Sequence, residues 1–263
     1  EFRRVLFRSF PGVNTLFNAL MHKPEFASVK FPNILATIGG GMAMQKVVAD
    51  QWQKMTGAPI AEGYGLSETS PVACVNSPLI ESFTGYIGLP VSGTEVVILG
   101  DDGKEVPFGT PGEICIRGPQ VMAGYWNKPE ETKNVMTADG FFKSGDIGIM
   151  NADGLTKIVD RKKDMVIVSG FNVYPREVEE VLFTHPEVQD AAVIGQNDAY
   201  RGEVLRAFVV MRQGAVFDAK NIQDHCALHL ARYKIPSHIE QRTALPKTSV
   251  NKTDKKVLKA LYS

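Results

Sequence analysis

The spacing of apolar residues changes character twice along the chain. In the first section, GVNTLFNALMHKPEF predicts a helix within residues 12–30, with Asn14 or Thr15 as its N-cap and Pro24 near its end. FPNILATIGGG predicts a short strand running into Gly39, Gly40 and Gly41. MQKVVADQWQKMTG has the period of an amphipathic helix with Val47, Val48, Trp52 and Met55 inward and Gly57 as its C-cap. PIAEGYGLSETSPVAC then reads as a strand, a tyrosine flanked by glycines, and Ser67-Glu68-Thr69. Strands alternating with helices over residues 12–75 predict part of a parallel sheet.

From Gly85 the pattern becomes short strands separated by Gly and Pro turns (GTEVVIL, DDGKEVPFGTPG, EICIRG), an all-β section. Gly145–Asn172 follows with DIGIM, the turn NADG, and LTKIV, a strong hairpin signal because Asp and Gly accept the torsions of a tight reversal. Asp160-Arg161-Lys162-Lys163 then interrupt the apolar pattern, as a linker between folded units or a solvated hairpin tip would. Beyond residue 163 the pattern is α+β: an apolar strand pair, a helix over 175–184, strands near 188–195 and 203–211, a helix over 218–231, and a strand near 237–242. The polar loop LPKTSVNKT and a basic helical tail follow. No internal repeat or low-complexity tract interrupts this order.

At 263 residues the chain can bury a full core, and one to two domains are expected. A net charge of zero gives no general case for nucleic acid or an anionic membrane surface. The balance is uneven: residues 1–159 carry a net −3 and residues 160–263 a net +3, which suits two lobes facing an anionic ligand but is also ordinary scatter. The three cysteines, Cys74, Cys115 and Cys226, are far apart, which argues for reduced thiols and an intracellular protein and gives no metal-ligand spacing. No apolar run approaches the ~20 residues of a membrane span. The basic, aromatic start EFRRVLFRSF is too broken for a secretory leader.

Four places carry candidate chemistry, each with a plain alternative. Gly39-Gly40-Gly41 would let backbone approach a ligand, but an ordinary strand-to-helix turn is at least as good a reading. Tyr64 offers a ring to a base, and Glu68 beside a hydroxyl suits Mg²⁺ and phosphate oxygens, whereas SET alone is more often a helix start. Asp146, next to glycines after a strand, could take two ribose hydroxyls or merely cap a turn. Lys252, in a polar loop, is a point charge for a phosphate or a surface lysine.

In order, YGLSET, GEICIRGPQVMAGYW, FKSGDIG, DRKKDMVIVSGFNVYP and PKTSVNK closely resemble the adenylate-forming superfamily of acyl-CoA synthetases, firefly-type luciferases and amino-acid-activating domains. With GGGM upstream, the resemblance is greatest to bacterial long-chain fatty-acid–CoA ligases, and it runs from about Gly12 to the end. Two features depart from that pattern. The family's phosphate-binding loop is absent, so the chain resembles only the C-terminal part, and the usual Gly-Lys of the last motif is Asn251-Lys252. Residues 1–10 fall outside the resemblance, as a foreign or a divergent native segment.

The resemblance implies an α/β portion of a large AMP-binding domain over residues 1–159, including a β-barrel-like subdomain, and a small mobile α+β lid over 160–263. It implies ATP-dependent activation of a long-chain fatty acid to acyl-AMP and transfer to CoA, with Mg²⁺ as cofactor. By the same resemblance Tyr64 stacks the adenine near Gly40, Gly41 and Gly65. Thr69 touches phosphate, Glu68 holds Mg²⁺, and Asp146 and Arg161 bind the ribose. Asp160 is the hinge, Lys252 the catalytic lysine, and Ser169 and Gly170 border the pantetheine tunnel, where a glycine keeps the passage wide. Other ligases of the superfamily, or a catalytically silent fragment that binds CoA or a partner, are the alternatives. An amino-acid-activating domain is disfavoured because no carrier domain follows Lys252. The isolated chain is expected to be inactive, and a cytoplasmic protein, peripheral membrane association and a homodimer are further expectations.

Overall fold

A computed structural model describes residues 8–249 and 252–262. The expectations for residues 1–7 and for Asn251 lie outside the described residues. The chain divides into two compact units, with the boundary between Ile158 and Val159.

The first unit opens with a five-stranded sheet in which β1 (Ser9–Gly12), β2 (Ala36–Gly39) and β3 (Ile60–Tyr64) are parallel. The two-residue strands β4 (Cys74–Val75) and β5 (Leu89–Pro90) continue it antiparallel. Helices α1 (Asn14–Met21) and α2 (Lys46–Thr56) supply the crossovers, and their apolar stripes meet at Trp52. That ring is fully buried, stands edge-on to Phe17 at 4.8 Å, and donates Nε1–H to the Thr37 hydroxyl at 3.2 Å. A buried indole needs such an acceptor.

Two local readings are corrected. Asn14 does not cap α1, which starts after Val13 with no side-chain cap; its Oδ1 accepts instead from the Gln45 N–H at the head of α2, at 3.0 Å. Val47 is 54% exposed, so the inward stripe of α2 is Val48, Ala49 and Trp52. Gly57 ends α2 as expected, with φ +79°.

The all-β section is a four-stranded sheet in the order β6 (Glu95–Leu99), β7 (Gly112–Arg117), β8 (Phe142–Met150), β9 (Thr156–Arg161). It is open: the barrel-like closure expected from the sequence is not formed among the described residues. Four short strands leave two edges, and β9 carries the chain onward rather than returning to β6. The NADG turn forms as predicted, with Asn151 Oδ1 accepting from the N–H groups of Asp153 (3.1 Å) and Leu155 (2.9 Å). The short helix α3 (Pro129–Val135) lies between β7 and β8 in sequence.

The second unit is built on the long antiparallel pair β12 (Val188–Asp198) and β13 (Gly202–Met211). The sheet order is β11 (Phe171–Val173), β10 (Val166–Val168), β13, β12, with β14 (His238–Gln241) also paired to β13. Side chains alternate along β12. Ala191 and Val193 join the core under α4 (Pro175–Thr184) and α5 (Ala219–His229), with Val178, Leu182, Ile222 and Cys226. Ala192 and Ile194 face the other way, onto Phe208, Leu245 and Leu258 of α6 (Lys255–Ala260). A period of two therefore fills two cores with one strand.

Cys74, Cys115 and Cys226 are free thiols, each fully buried. Burial pushes Cys74 up to about 12 and Cys226 up to about 11.

The rings of His185, His225 and His229 sit side by side, with centroids 5.1 Å apart for each neighbouring pair. Burial, then the charges of His185 and His229, hold His225 below the usual imidazole range. A histidine depressed in the folded state binds fewer protons than in the unfolded chain, so its contribution to stability is complete above its ordinary pKa and is lost as pH falls. The melting temperature should therefore drop between about pH 7.5 and about pH 5.5, across the ordinary imidazole pKa of ~6.5. His225→Asn should shrink that drop, as read by circular dichroism.

Candidate active site

Parallel strands deliver their carboxyl ends to one rim, where open α/β sheets commonly take ligands. Gly40 and Gly41 follow the end of β2, Tyr64 is the last residue of β3, and Gly65 follows it. The two ends are close: a Cβ on Gly40 would lie 3.3 Å from the Gly63 carbonyl oxygen. Gly65 is required outright, because a Cβ there would come within 1.6 Å of the Pro71 carbonyl oxygen. The chain thus doubles back immediately after Tyr64 and forms the turn Ser67–Thr69.

Tyr64 is buried, and its hydroxyl donates to Asp146 Oδ2 at 2.6 Å. Asp146 is itself buried on β8, beside Gly145. Burial, reinforced by the Asp146 carboxylate, raises the phenol far above its ordinary range, so Tyr64 remains a donor at any physiological pH. The bond joins residues from different sheets of the first unit and orients the carboxylate. It occupies one of about four lone-pair positions of that carboxylate.

Thr69 is fully buried. Its hydroxyl accepts from the Leu66 N–H at 2.9 Å and lies 3.1 Å from the Leu66 carbonyl and 2.9 Å from that of Pro71. It closes the turn that displays its two predecessors. Ser67 is exposed, and it is the hydroxyl on the open side next to Glu68. Ser67 and Thr69 both flank Glu68 in the sequence, but the hydroxyl at the third position of the turn is drawn back to the Leu66 N–H just before it, while the first position is exposed.

Glu68 is half-buried, and its Oε1 accepts from the Tyr125 hydroxyl at 2.8 Å. Burial and then Glu68 raise the Tyr125 phenol, which keeps it a donor. Tyr125 was unforeseen; only its place in GYW hinted at it. Among the described residues no group of three or more His, Cys, Asp or Glu side chains could hold a metal ion. Glu68 fits a different donor set, since Mg²⁺ commonly takes one or two carboxylates and completes its shell with water and substrate phosphates.

The remaining candidates belong to the second unit. Asp160 is buried, not solvated: its Oδ1 accepts from the Arg161 N–H at 2.7 Å and its Oδ2 from the Arg176 N–H, in the first turn of α4, at 2.8 Å. Arg161 is exposed at the end of β9. Ser169 and Gly170 form the two-residue turn between β10 and β11, with φ +51° and +84°. That is the torsion pair of a type I′ hairpin, which favours glycine whatever lies nearby. A Cβ on Gly170 would meet nothing within 4 Å. Lys252 is half-buried in a small loop, where its carbonyl accepts from the Thr248 N–H at 2.7 Å and its N–H donates to Thr248 Oγ1 at 3.2 Å.

A parallel sheet leading into an open antiparallel one, followed by a separate α+β unit, is the fold of the C-terminal portion of an adenylate-forming enzyme. The chain belongs to the AMP-binding enzyme family: residues 2–126 match the AMP-binding enzyme model and residues 177–252 its C-terminal domain, so the likeness reaches into the first ten residues that the motif comparison leaves out. A long-chain-fatty-acid–CoA ligase of Yersinia pestis is 46% identical over 252 residues, 96% of this chain and 44% of that protein. One from Bacillus subtilis is 43% identical over 245 residues, 92% of this chain and 43% of that protein. The crystal structure of ATP-bound MatB from Rhodopseudomonas palustris is 32% identical with a TM-score of 0.92, covering 99% of this chain and 52% of that one. The chain thus spans less than half the length of these curated relatives.

If Thr69 holds the turn together, Thr69→Val should cost about 1–3 kcal/mol in urea unfolding, the penalty for orphaning buried partners. Ser67→Ala, on the exposed side, should stay within about 0.5 kcal/mol.

Proposed function

We propose that the full-length protein carrying this chain activates a long-chain fatty acid with ATP to acyl-AMP and transfers the acyl group to CoA. The observation that carries the reading is the identity of 43–46% to proteins named long-chain-fatty-acid–CoA ligases along almost the whole chain. The rim at Tyr64, Asp146 and Glu68 supports it.

In the first step a fatty carboxylate oxygen attacks the α-phosphorus of ATP and pyrophosphate leaves. An anion must approach a polyanion, so the barrier is electrostatic, and preorganised positive groups lower it. Asp146, oriented by Tyr64, accepts from the ribose hydroxyls, and Arg161 donates to the ribose oxygens. The Tyr64 ring borders the adenine, and the glycines at 40, 41 and 65 let backbone come close to the nucleotide. Thr69 holds the turn that presents Ser67 to phosphate oxygens and Glu68 to Mg²⁺. Mg²⁺, when bound with ATP, supplies charge neutralisation at the phosphates. Lys252 supplies a cation to the developing charge. In the second step the CoA thiolate attacks the acyl carbonyl and AMP leaves, with Ser169 and Gly170 beside the thiol's path.

The same reading makes residues 1–159 the C-terminal portion of the large AMP-binding domain and residues 160–263 a mobile lid hinged at Asp160. Long acyl chains partition into bilayers, and among the described residues no helix is long and apolar enough to cross one. Peripheral association at the inner membrane is the delivery route we favour for such chains.

Separate assays of the two half-reactions test the assignment in the full-length enzyme. Lys252→Ala should slow acyl-AMP formation by ~10²–10³-fold, the usual worth of one preorganised donor, with thioester formation from supplied acyl-AMP nearly unchanged. Gly170→Leu should do the reverse, and Gly170→Asn separates the two reasons for a glycine. Asn tolerates the left-handed torsion, so a loss of CoA transfer in Gly170→Asn is steric and not backbone strain. Exchange of pyrophosphate into ATP driven by amino acids, and not by fatty acids, would overturn the substrate class.

A further inference from the structure

One buried ion pair has no part in the scheme above. Glu179 on α4 and Lys255 at the head of α6 meet at 2.8 Å, with side chains only 15% and 19% exposed. Glu179 Oε1 also accepts from the Val193 N–H of β12 at 2.7 Å. Burial raises the Glu179 carboxyl, and Lys255 opposes that rise. Burial disfavours the Lys255 ammonium, but Glu179 and then Asp160 outweigh it and raise its pKa. One turn further along α6, Lys259 lies 3.3 Å from Asp164, which ends the charged segment beginning at Asp160. Residues four apart share a helix face. A single face of α6 is therefore fastened both to α4 and to the segment after Asp160.

The loop before α6 is fastened as well. Lys247 Nζ donates to Asp190 Oδ2 on β12 at 2.8 Å and to Thr253 Oγ1 at 3.0 Å. The Asp254 N–H donates to the Pro246 carbonyl at 2.8 Å, and Asp254 Oδ1 caps α6 at Lys256 N. Lys252 lies within this closed loop, three residues before Lys255. An apolar pair of similar volume would hold α6 to α4 about as strongly as a buried ion pair does. What the ion pair adds is direction, because Glu179 is already fixed by Val193.

We propose that Lys255 is a positioning residue for acyl-AMP formation: its pairing with Glu179 fixes α6 against α4 and the Asp160–Asp164 segment, and so sets where the Lys252 ammonium stands. This rests on the assignment of Lys252 to the first half-reaction.

The test compares Lys252→Ala, Lys255→Met, Lys255→Arg and the pairs Glu179→Met/Lys255→Met and Lys252→Ala/Lys255→Met in the full-length enzyme, with each half-reaction assayed separately and melting temperatures recorded. Lys255→Met should reduce kcat for acyl-AMP formation by about 10- to 100-fold, the usual effect of displacing a catalytic group by about an ångström. Thioester formation from supplied acyl-AMP should stay within about twofold, since the loss is confined to one step. Lys255→Arg should recover part of the rate. Lys252→Ala/Lys255→Met should be no slower than Lys252→Ala alone, because a misplaced group that is already absent costs nothing more. Should Lys255→Met fold poorly because Glu179 is left buried and unpaired, Glu179→Met/Lys255→Met removes both charges and should show the same selective loss. The proposal is overturned if Lys252→Ala slows acyl-AMP formation and the stably folded Lys255 variants do not. It is equally overturned if both half-reactions fall together in folded protein, or if the effects of Lys252→Ala and Lys255→Met multiply. Wild-type acyl-AMP formation by Lys252→Ala would overturn instead the assignment of Lys252, and the proposal with it.

Discussion

The first unit turns on the hydrogen bond from Tyr64 to Asp146. It is short, buried and formed between strands of two different sheets, 82 residues apart in sequence. In a low-dielectric setting a neutral donor to a carboxylate is worth more than in water, and an unpaired carboxylate there would be costly. The cluster around it includes Ala73, Cys74, Ile87, Ile98, Ile114 and Ile116, drawn from both sheets. Apolar burial brings the sheets together, and the bond selects one registration among many. Gly65 serves the same end, since only a residue without Cβ lets the chain pass Pro71 and place the Ser67–Thr69 turn at the rim.

The second unit achieves its order differently. A long antiparallel pair presents one face to α4 and α5 and the other to α6, so β12 is covered on both sides. Ion pairs then fix what burial leaves loose: Lys234 to Glu177 at 2.7 Å, Lys247 to Asp190 at 2.8 Å and Lys255 to Glu179 at 2.8 Å. Only the last is well buried on both partners, and the more exposed pairs contribute little to stability.

Much of the fold was legible in the sequence because period and punctuation agree there. The NADG turn, Gly57, the helix over 175–184 and the strands of the second unit all combine an apolar repeat with a residue that stops it. The failures share a cause. Val47 fits the helical stripe of α2 by spacing, yet it faces outward, because the stripe's width depends on what packs against it. Asn14 reads as a cap but serves a different helix. Barrel closure depends on pairing between distant edges, which no local pattern encodes. At the rim, Tyr64, Glu68 and Asp146 are singled out by residue type and order alone. Their partners are not, for Tyr125 and Glu68 are 57 residues apart. Of the two hydroxyls beside Glu68, that of Thr69 is buried and Ser67 is exposed, a difference that turn geometry and not composition sets. Asp160, in a charged run that reads as a linker or a solvated tip, is buried and accepts from two backbone N–H groups that composition does not reveal.

The three cysteines have a chemical consequence. An acyl-adenylate is a mixed anhydride that acylates thiolates without discrimination, and an enzyme generating one for CoA runs the risk of becoming its own substrate. Here each sulfur is sealed in a core, and the thiols of Cys74 and Cys226 are held at about 12 and about 11, so almost no thiolate exists near neutrality. On the function proposed above, none of these three thiols would compete with an incoming cosubstrate thiol for an activated acyl group, because the chain keeps all three buried and holds Cys74 and Cys226 protonated.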